Sequence, residues 1–234
     1  MNAVIKLSSP ATHEFWEIPV LFEDEHLLAL DKPAGLHTSP DRHELERPNL
    51  MNLLHTGITD GKPWTKERGL TYLNNAHRLD VETGGVLLLA KSKPILVALA
   101  NLFGSEKSTH TYVALTLGEP ADERFTIDAK LSPHETKPGL VRVDPKGGKK
   151  SKTQFQVLER FSRYTLLKCE SLTNRTHQIR IHLRQAGLSI VGDPLYGGRP
   201  LLLSRIKPNY RLKPGKTERP LIPRVALHAE QLSL

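Results

Sequence analysis

Five apolar residues in a row, Val86–Ala90, follow Gly84-Gly85 and stop at Lys91-Ser92-Lys93-Pro94. A run this short, without alternation, is the pattern of a strand buried on both faces. Cover for it comes next in the chain. Ser92 suits a helix N-cap, Pro94 falls in the first turn, and Gly104 stands at the end. Ile95, Leu99 and Leu102 share one face of that helix. The same stretch argues against a membrane span, because Val86–Ala90 and Ile95–Ala100 are the longest apolar runs. A span needs roughly 18 apolar residues. Met1–Lys6 lacks the apolar core of a secretory signal. An apolar share of 38% is that of a folded chain. The single cysteine, Cys169, rules out an intramolecular disulfide framework and a cysteine-based zinc site. A soluble, cytoplasmic chain is expected.

The remaining pattern mixes strands and helices irregularly. Val20–Phe22 and Leu27–Leu30 read as two strands around the turn Glu23–His26, and Lys32-Pro33-Ala34-Gly35 closes the second. Residues 41–68 are polar, with a helical patch near Leu50–His55. Tyr112–Leu117 reads as a strand ended by Gly118, and Gln154–Leu158 and Tyr164–Cys169 as a strand pair. Residues 176–186 read as an amphipathic helix stopped by Gly187. Ile179, Leu183 and Ala186 lie on one face, and His177, Arg180 and Arg184 lie on the other. That predicts a basic face left free. Neighbouring strands without strict βαβ alternation predict an α+β fold.

Two clusters carry groups capable of chemistry. The first is Ala76–Gly85, where His77, Arg78, Asp80 and Glu82 stand just ahead of the buried strand. A carboxylate there is held rigidly, and the glycines admit close approach of another chain or a ligand. The bland alternative is a turn-capping Asp80 beside a solvated Arg78–Glu82 pair. The second is Thr173–His182, whose functional reading is phosphate contact plus one arginine aimed inward at a carboxylate. His177 and His182 are five apart, unlike the four-residue spacing of zinc hydrolases, so no metal site is expected.

His77-Arg78-Leu79-Asp80-x-x-Thr83-x-Gly85, with Leu88-Leu89-Ala90-Lys91 beyond it, resembles the catalytic signature of the RluA-like pseudouridine synthases. Five further segments follow that family's order. They are Asp31–Gly35, Tyr112–Leu115, Arg175–His182, Gly192–Gly197 and Leu227–Ala229. The resemblance implies a single α+β domain with a mixed, mainly antiparallel sheet, flanking helices and a central active-site cleft. It would span residues 19–234 after an N-terminal extension, 1–18, with no separate RNA-binding domain ahead of it. The implied activity is conversion of uridine in rRNA or tRNA to pseudouridine. No cofactor or metal is required: the C–N glycosidic bond breaks, the uracil rotates and a C–C bond forms.

By resemblance Asp80 is the essential carboxylate. Attack on ribose C1′, addition to the uracil ring and abstraction of the C2′ proton all remain open, and each needs an ionised carboxylate beside the sugar. Arg180 matches the arginine that pairs with that aspartate, and Tyr112 the tyrosine beside the target base. The uridine must be flipped out of its stack, and Arg78 would fill the gap as a planar cation. RNA contacts are expected from His77, Arg78, Thr83, Arg175 and His177, and from Lys149 and Lys150 in the basic loop Lys146–Lys152. Three positions depart from the family pattern. Gly84 replaces a serine, His110 a lysine, and Asn174 a glycine, the last being mild because Asn tolerates a left-handed backbone.

The net charge of +8 then acquires a partner, RNA. Besides Lys146–Lys152, the segment Arg199–Arg224 holds eight cations, one acid (Glu218) and five prolines, so an extended RNA-contacting loop is expected. A monomer is expected. Two other classes compete: a catalytically idle RNA-binding protein on the same fold, and a metal-dependent nuclease or phosphoesterase using the His and Asp residues.

Overall fold

A computed structural model describes residues 4–41, 44, 46–105, 108–213 and 215–234. Positions 42, 43 and 45 of the polar segment, 214 of the basic segment and 1–3 lie outside the described residues. The chain divides into two compact units, Met1–Ser108 with Ala229–Leu234, and Thr109–His228.

The first unit is an antiparallel sheet of β1 (Val4–Ser9), β2 (Glu14–Glu23), β3 (Leu27–Lys32), β4 (Asn74–Asn75) and β5 (Gly84–Ala90). Its order is β1-β2-β3-β5, with β4 also on β5. Residues 4–18, read from sequence as lying ahead of the domain, are part of this sheet. Ile5 and Ile18 pair across it and are fully buried. The β2–β3 turn forms because Asp24 Oδ1 accepts the N–H groups of His26 (2.8 Å) and Leu27 (2.6 Å). Three helices accompany the sheet: α1 (Leu50–Thr59), α2 (Pro63–Glu67) and α3 (Lys93–Gly104). Asn49 caps α1 by accepting from the Asn52 N–H at 2.9 Å.

β5 is buried on both faces, as its unbroken apolar run requires. Leu87 and Leu89 are fully buried, while Leu88 and Ala90 pack with Ala29 of β3 and Leu99 of α3. Ser92 does stand at the α3 N-cap, although its side chain makes no capping bond. Gly85 has φ +115, and a Cβ there would collide with the Ala229 backbone.

The second unit is the antiparallel sheet β6-β10-β9-β7-β8. Its strands are β6 (Thr109–Leu117), β7 (Arg124–Pro133), β8 (Val141–Val143), β9 (Lys149–Arg160) and β10 (Tyr164–Ser171). Then come α4 (Gln178–Gln185), a 3-10 turn at Pro194–Tyr196, and α5 (Leu203–Ile206). The last strand, β11 (Leu227–Ser233), begins in this unit and ends in the first. Strands and helices are segregated as in an α+β fold. Lys149, Lys150 and Lys152, expected in a loop, are the start of β9.

The expected free basic face of α4 does not exist. The helix starts at Gln178 rather than 176, and every residue from Gln178 to Leu183 is buried. Burial is possible because the sheet supplies partners for the polar side chains. The two hydrogens of Gln178 Nε2 are shared among the Lys152 carbonyl (3.1 Å), Thr153 Oγ1 (3.0 Å) and Ser171 Oγ (3.0 Å). Only the last turn, with Arg184, is exposed.

Gly85→Ala is expected to cost about 3 kcal/mol or more, because positive φ and a backbone collision act together. Urea denaturation measures it, against Gly104→Ala in α3, where a Cβ meets nothing within 4 Å.

Candidate active site

Asp80 sits in a turn whose backbone is pinned from three directions. Its carbonyl accepts the Thr83 N–H at 3.1 Å, and the Val81 carbonyl accepts the Gly35 N–H at 2.6 Å. On the other side, Thr38 Oγ1 donates to the Leu79 carbonyl (3.0 Å) and accepts from the Leu79 N–H (3.2 Å). The half-buried Asp80 is thus held by main-chain bonds made to its neighbours.

Beneath this turn lies a lysine that sequence reasoning missed. Lys32 is fully buried, and its Nζ donates to the carbonyls of Pro33 (2.9 Å) and Leu36 (2.6 Å). Burial pushes the ammonium down to about 8, against the pull of the Asp80 and Glu82 charges. One cation therefore braces the Pro33–Leu36 loop, which reaches Val81 through Gly35, and faces both acids of the turn. Strand periodicity held the clue, since Leu28, Leu30 and Lys32 fall on one face of β3.

His77 is buried. Its Nε2 accepts the Leu88 N–H at 3.0 Å, and its ring packs edge-on against Phe103 at 5.6 Å. A ring nitrogen that accepts from β5 ties the segment before Asp80 to the strand after it. Thr83 is buried as well, whereas Arg78 is exposed.

In the second unit, Tyr112 lies on β6 opposite Cys169 of β10. Only 8% of the tyrosine is exposed. Cys169 is fully buried, which pushes its thiol up and leaves it un-ionised. His110, which stands where the family has lysine, is buried too, and burial pushes its ring down to about 4. It is a neutral core residue at neutral pH and supplies no cation for a phosphate.

Arg180 is the arginine aimed inward at a carboxylate, and within its own unit that carboxylate is Asp193. Nε meets Oδ2 at 2.7 Å and Nη2 meets Oδ1 at 2.8 Å, with the side chains 1% and 0% exposed. The two-point contact fixes the guanidinium plane. Its Cζ lies 5.2 Å from the centroid of the Tyr196 ring. The Tyr196 hydroxyl accepts the Val141 N–H at 3.0 Å, leaving its proton for His177 Nδ1 at 2.9 Å. His177 has a left-handed backbone, φ 53, at the start of α4. The strained position near Asn174 is thus His177; Asn174 itself is not among the positive-φ residues. Asp193 and Tyr196 are the two buried residues of Gly192–Gly197, and an acid inside that motif was the available signal.

Lys149, Lys150 and Arg175 come from separate stretches of sequence and meet in the second unit. Arg175 Nε donates to the Lys150 carbonyl at 3.2 Å. Lys149 and Arg175 rim one groove, floored by Leu131, Pro133 and Val141. In Arg199–Arg224 all eight cations are exposed. The lone acid, Glu218, is spent on Ser204, accepting from its N–H (2.8 Å) and its hydroxyl (2.6 Å). Apart from α5 the described residues of the segment are irregular, with a turn at 207–210. Among the described residues no three His, Cys, Asp or Glu side chains gather as a metal-binding group, so the metal-hydrolase alternative finds no ligand set there.

A sequence model described as RNA pseudouridylate synthase matches residues 26–185. The chain belongs to that family. Asp80, Tyr112 and Arg180 of this pseudouridine synthase family member all fall inside the match. It is 34% identical to the ribosomal large subunit pseudouridine synthase D of Nitrosomonas europaea, over 95% of this chain and 60% of that protein. An uncharacterised RNA pseudouridine synthase of Bacillus subtilis, YhcT, is 33% identical over 85% of this chain and 64% of its own length. The chain therefore spans about three fifths of the curated relatives it matches. In fold it is similar to human RNA pseudouridylate synthase domain containing 4, with a TM-score of 0.65, 22% identity, and 91% of this chain and 82% of that one covered. Human RNA pseudouridylate synthase domain containing 1 gives a TM-score of 0.64 at 22% identity, over 92% and 77%. No helix among the described residues is long and apolar enough to cross a membrane.

The second unit carries a measurable acid sensitivity. His182 of α4 is fully buried between β9 hydroxyls, Ser151 at Nε2 and Thr153 at Nδ1, each 2.9 Å away. Ser151 Oγ donates to the Ala129 carbonyl (2.7 Å) and so accepts from Nε2–H. Thr153 accepts from Gln178 and donates to Nδ1. This neutral tautomer leaves no acceptor for a second proton, and burial pushes the ring down to about 4, as it does His110. Both rings have an ordinary value of 6.5 when unfolded. The unfolded chain then takes up protons that the folded one refuses. Their stabilisation is complete above pH 6.5 and lost as pH falls toward 4. Between pH 7 and pH 5 a loss of about 1–2 kcal/mol per ring is expected in urea midpoints, and His182→Gln should reduce it.

Proposed function

We propose that this protein isomerises specific uridines of structured RNA to pseudouridine, with Asp80 as the essential carboxylate. The observation that supports this most directly is the single family match running through Asp80, Tyr112 and Arg180. The names of its relatives favour large-subunit ribosomal RNA as the substrate over transfer RNA. The enzyme acts as a cytoplasmic monomer without cofactor or metal.

The chemistry asked of the site is a rearrangement that neither adds nor removes atoms. The N1–C1′ bond breaks, the uracil rotates, C5 bonds to C1′, C5 loses its proton and N1 gains one. A carboxylate held beside the sugar by a pinned backbone meets the common need of the three open roles for Asp80. Lys32 positions that turn from below. Arg78, exposed and planar, replaces the flipped base in the RNA stack, which offsets an unstacking cost of a few kcal/mol. Tyr112 meets the base with its ring and its hydroxyl. Arg180, oriented by Asp193, serves as the fixed cation of the site. Arg175, Lys149, Lys150 and the Arg199–Arg224 segment hold phosphates. His77 and Thr83, both buried, support the Asp80 segment from within.

Release of tritium from RNA carrying [5-³H]uridine reads the reaction, since C5 exchanges its hydrogen for carbon. Asp80→Asn is expected to lower release by at least about 10³-fold while RNA affinity stays within a small factor. Substantial turnover by that variant would sink the assignment. Arg78→Ala should reduce kcat on structured RNA more than on an unstructured oligonucleotide, in which the uridine is already unstacked.

Lys32→Met tests positioning separately. It leaves the Pro33 and Leu36 carbonyls without their donor, so stability should fall by about 1–3 kcal/mol. Turnover should fall about tenfold or more with KM little changed, as the Asp80 turn loses its brace. Wild-type kcat in Lys32→Met would show that the lysine serves only the fold.

A further inference from the structure

The second unit has a groove of about 370 Å³ lined by the ends of β7 and β8, the turn before β9 and the residues leading into α4. Its floor is apolar: Leu131 and Val141 are buried members of the cluster with Ile181 and Tyr196, and Pro133 is exposed beside them. Its rim is polar and exposed: Lys149, Asn174, Arg175 and Thr176. Two features make the rim electrostatically open. The nearest acid in the β8–β9 turn, Asp144, is already engaged. Its Oδ1 accepts from the N–H groups of Lys146 (3.2 Å) and Gly147 (3.0 Å), and its Oδ2 meets Arg142 at 3.4 Å. Lys149 enters no ion pair among the described residues, and Arg175 spends only Nε, on the Lys150 carbonyl.

Cations alone would suit any polyanion. The apolar floor asks for more, because the exposed Pro133 and the edges of Leu131 and Val141 beside it suit a flat apolar surface. A guanidinium anchored through one nitrogen is a ready stacking plane for a base and a donor to phosphate. An unpaired nucleotide offers both a base and a phosphate.

We propose that this groove holds one unpaired nucleotide of the substrate RNA other than the target uridine, its base over Leu131, Pro133 and Val141 and its phosphate between Lys149 and Arg175. The proposal rests on the RNA-modifying reading above. It adds a subsite to the chain's own second unit, at residues that the family roles of Asp80, Tyr112 and Arg180 do not include. A purely ionic grip would not distinguish RNA from another polyanion; this subsite does.

The experiment compares two probes on the full chain. One is fluorescein-labelled octauridylate, read by anisotropy; the other is inorganic polyphosphate of matching charge, read as a competitor. The wild-type protein is expected to prefer octauridylate by about tenfold, the scale of one base contact. Pro133→Glu puts a negative charge on the exposed floor and should abolish most of that preference. Asn174→Glu, on the rim, gives a second test should Pro133→Glu fold poorly by thermal melting. Lys149→Ala should lower the slope of log affinity against log salt by about 0.7, one phosphate on a single strand. Unchanged preference in both glutamate variants, or an unchanged salt slope in Lys149→Ala, overturns the subsite. Tritium release on the same preparations separates the two failures. Inactive wild-type protein would count against the isomerase, whereas active protein with indifferent groove variants would count only against the groove.

Discussion

The second unit is organised around one buried ion pair, Arg180 with Asp193. Taking both charges out of water costs several kcal/mol each, and the attraction repays that only in good geometry. The geometry here is two-point, with 2.7 and 2.8 Å contacts. It requires α4 and the turn after it to keep a fixed relation, since the partners are thirteen residues apart. Tyr196 lies under the guanidinium and ties that turn to Val141 and His177. The left-handed backbone of His177 is held by the same hydroxyl. Removing either charge would leave the other buried alone, so the helix, the turn and the groove floor stand or fall together.

The first unit also buries a cation. A single buried ammonium, Lys32, takes the carbonyls of the Pro33–Leu36 loop and faces the acids of the Asp80 turn. A cation satisfied by two carbonyls and two nearby carboxylates is tolerable where an isolated one would not be. In both units a charge is buried where it can orient a functional loop, and neutral buried histidines fill the places where a charge would serve nothing. His110 is the clearest example. The lysine usual at that position would bring a charge into a site that burial renders hostile to one, and this chain has a side chain that can shed its proton.

The elements themselves were legible. An unbroken apolar run read as a doubly buried strand because such a strand has no solvent side to alternate toward, and β5 is one. The α3 punctuation and the β9–β10 pair were equally readable, because Pro, Gly and strand periodicity act locally. The ordered motifs made the family and the residues Asp80, Tyr112 and Arg180 visible, since chemistry restricts residue type at a spacing. What failed was the sidedness of α4. His177, Arg180 and Arg184 look like a basic surface on a helical wheel, because a wheel counts charges and knows nothing of partners. Asp193, Ser151 and Thr153 come from elsewhere in the chain.

Sequence alone determined which residues are apolar in which period, where the chain turns, and which motifs place it in its family. Tertiary structure decided the fate of each charge. It sent Lys32 and Arg180 inside, joined Lys149 to Arg175 at one groove, and engaged Glu218 with Ser204. The reason is energetic: burying a polar group is permitted or forbidden by the partner waiting for it. That partner is brought by the fold from a distance that no local pattern spans.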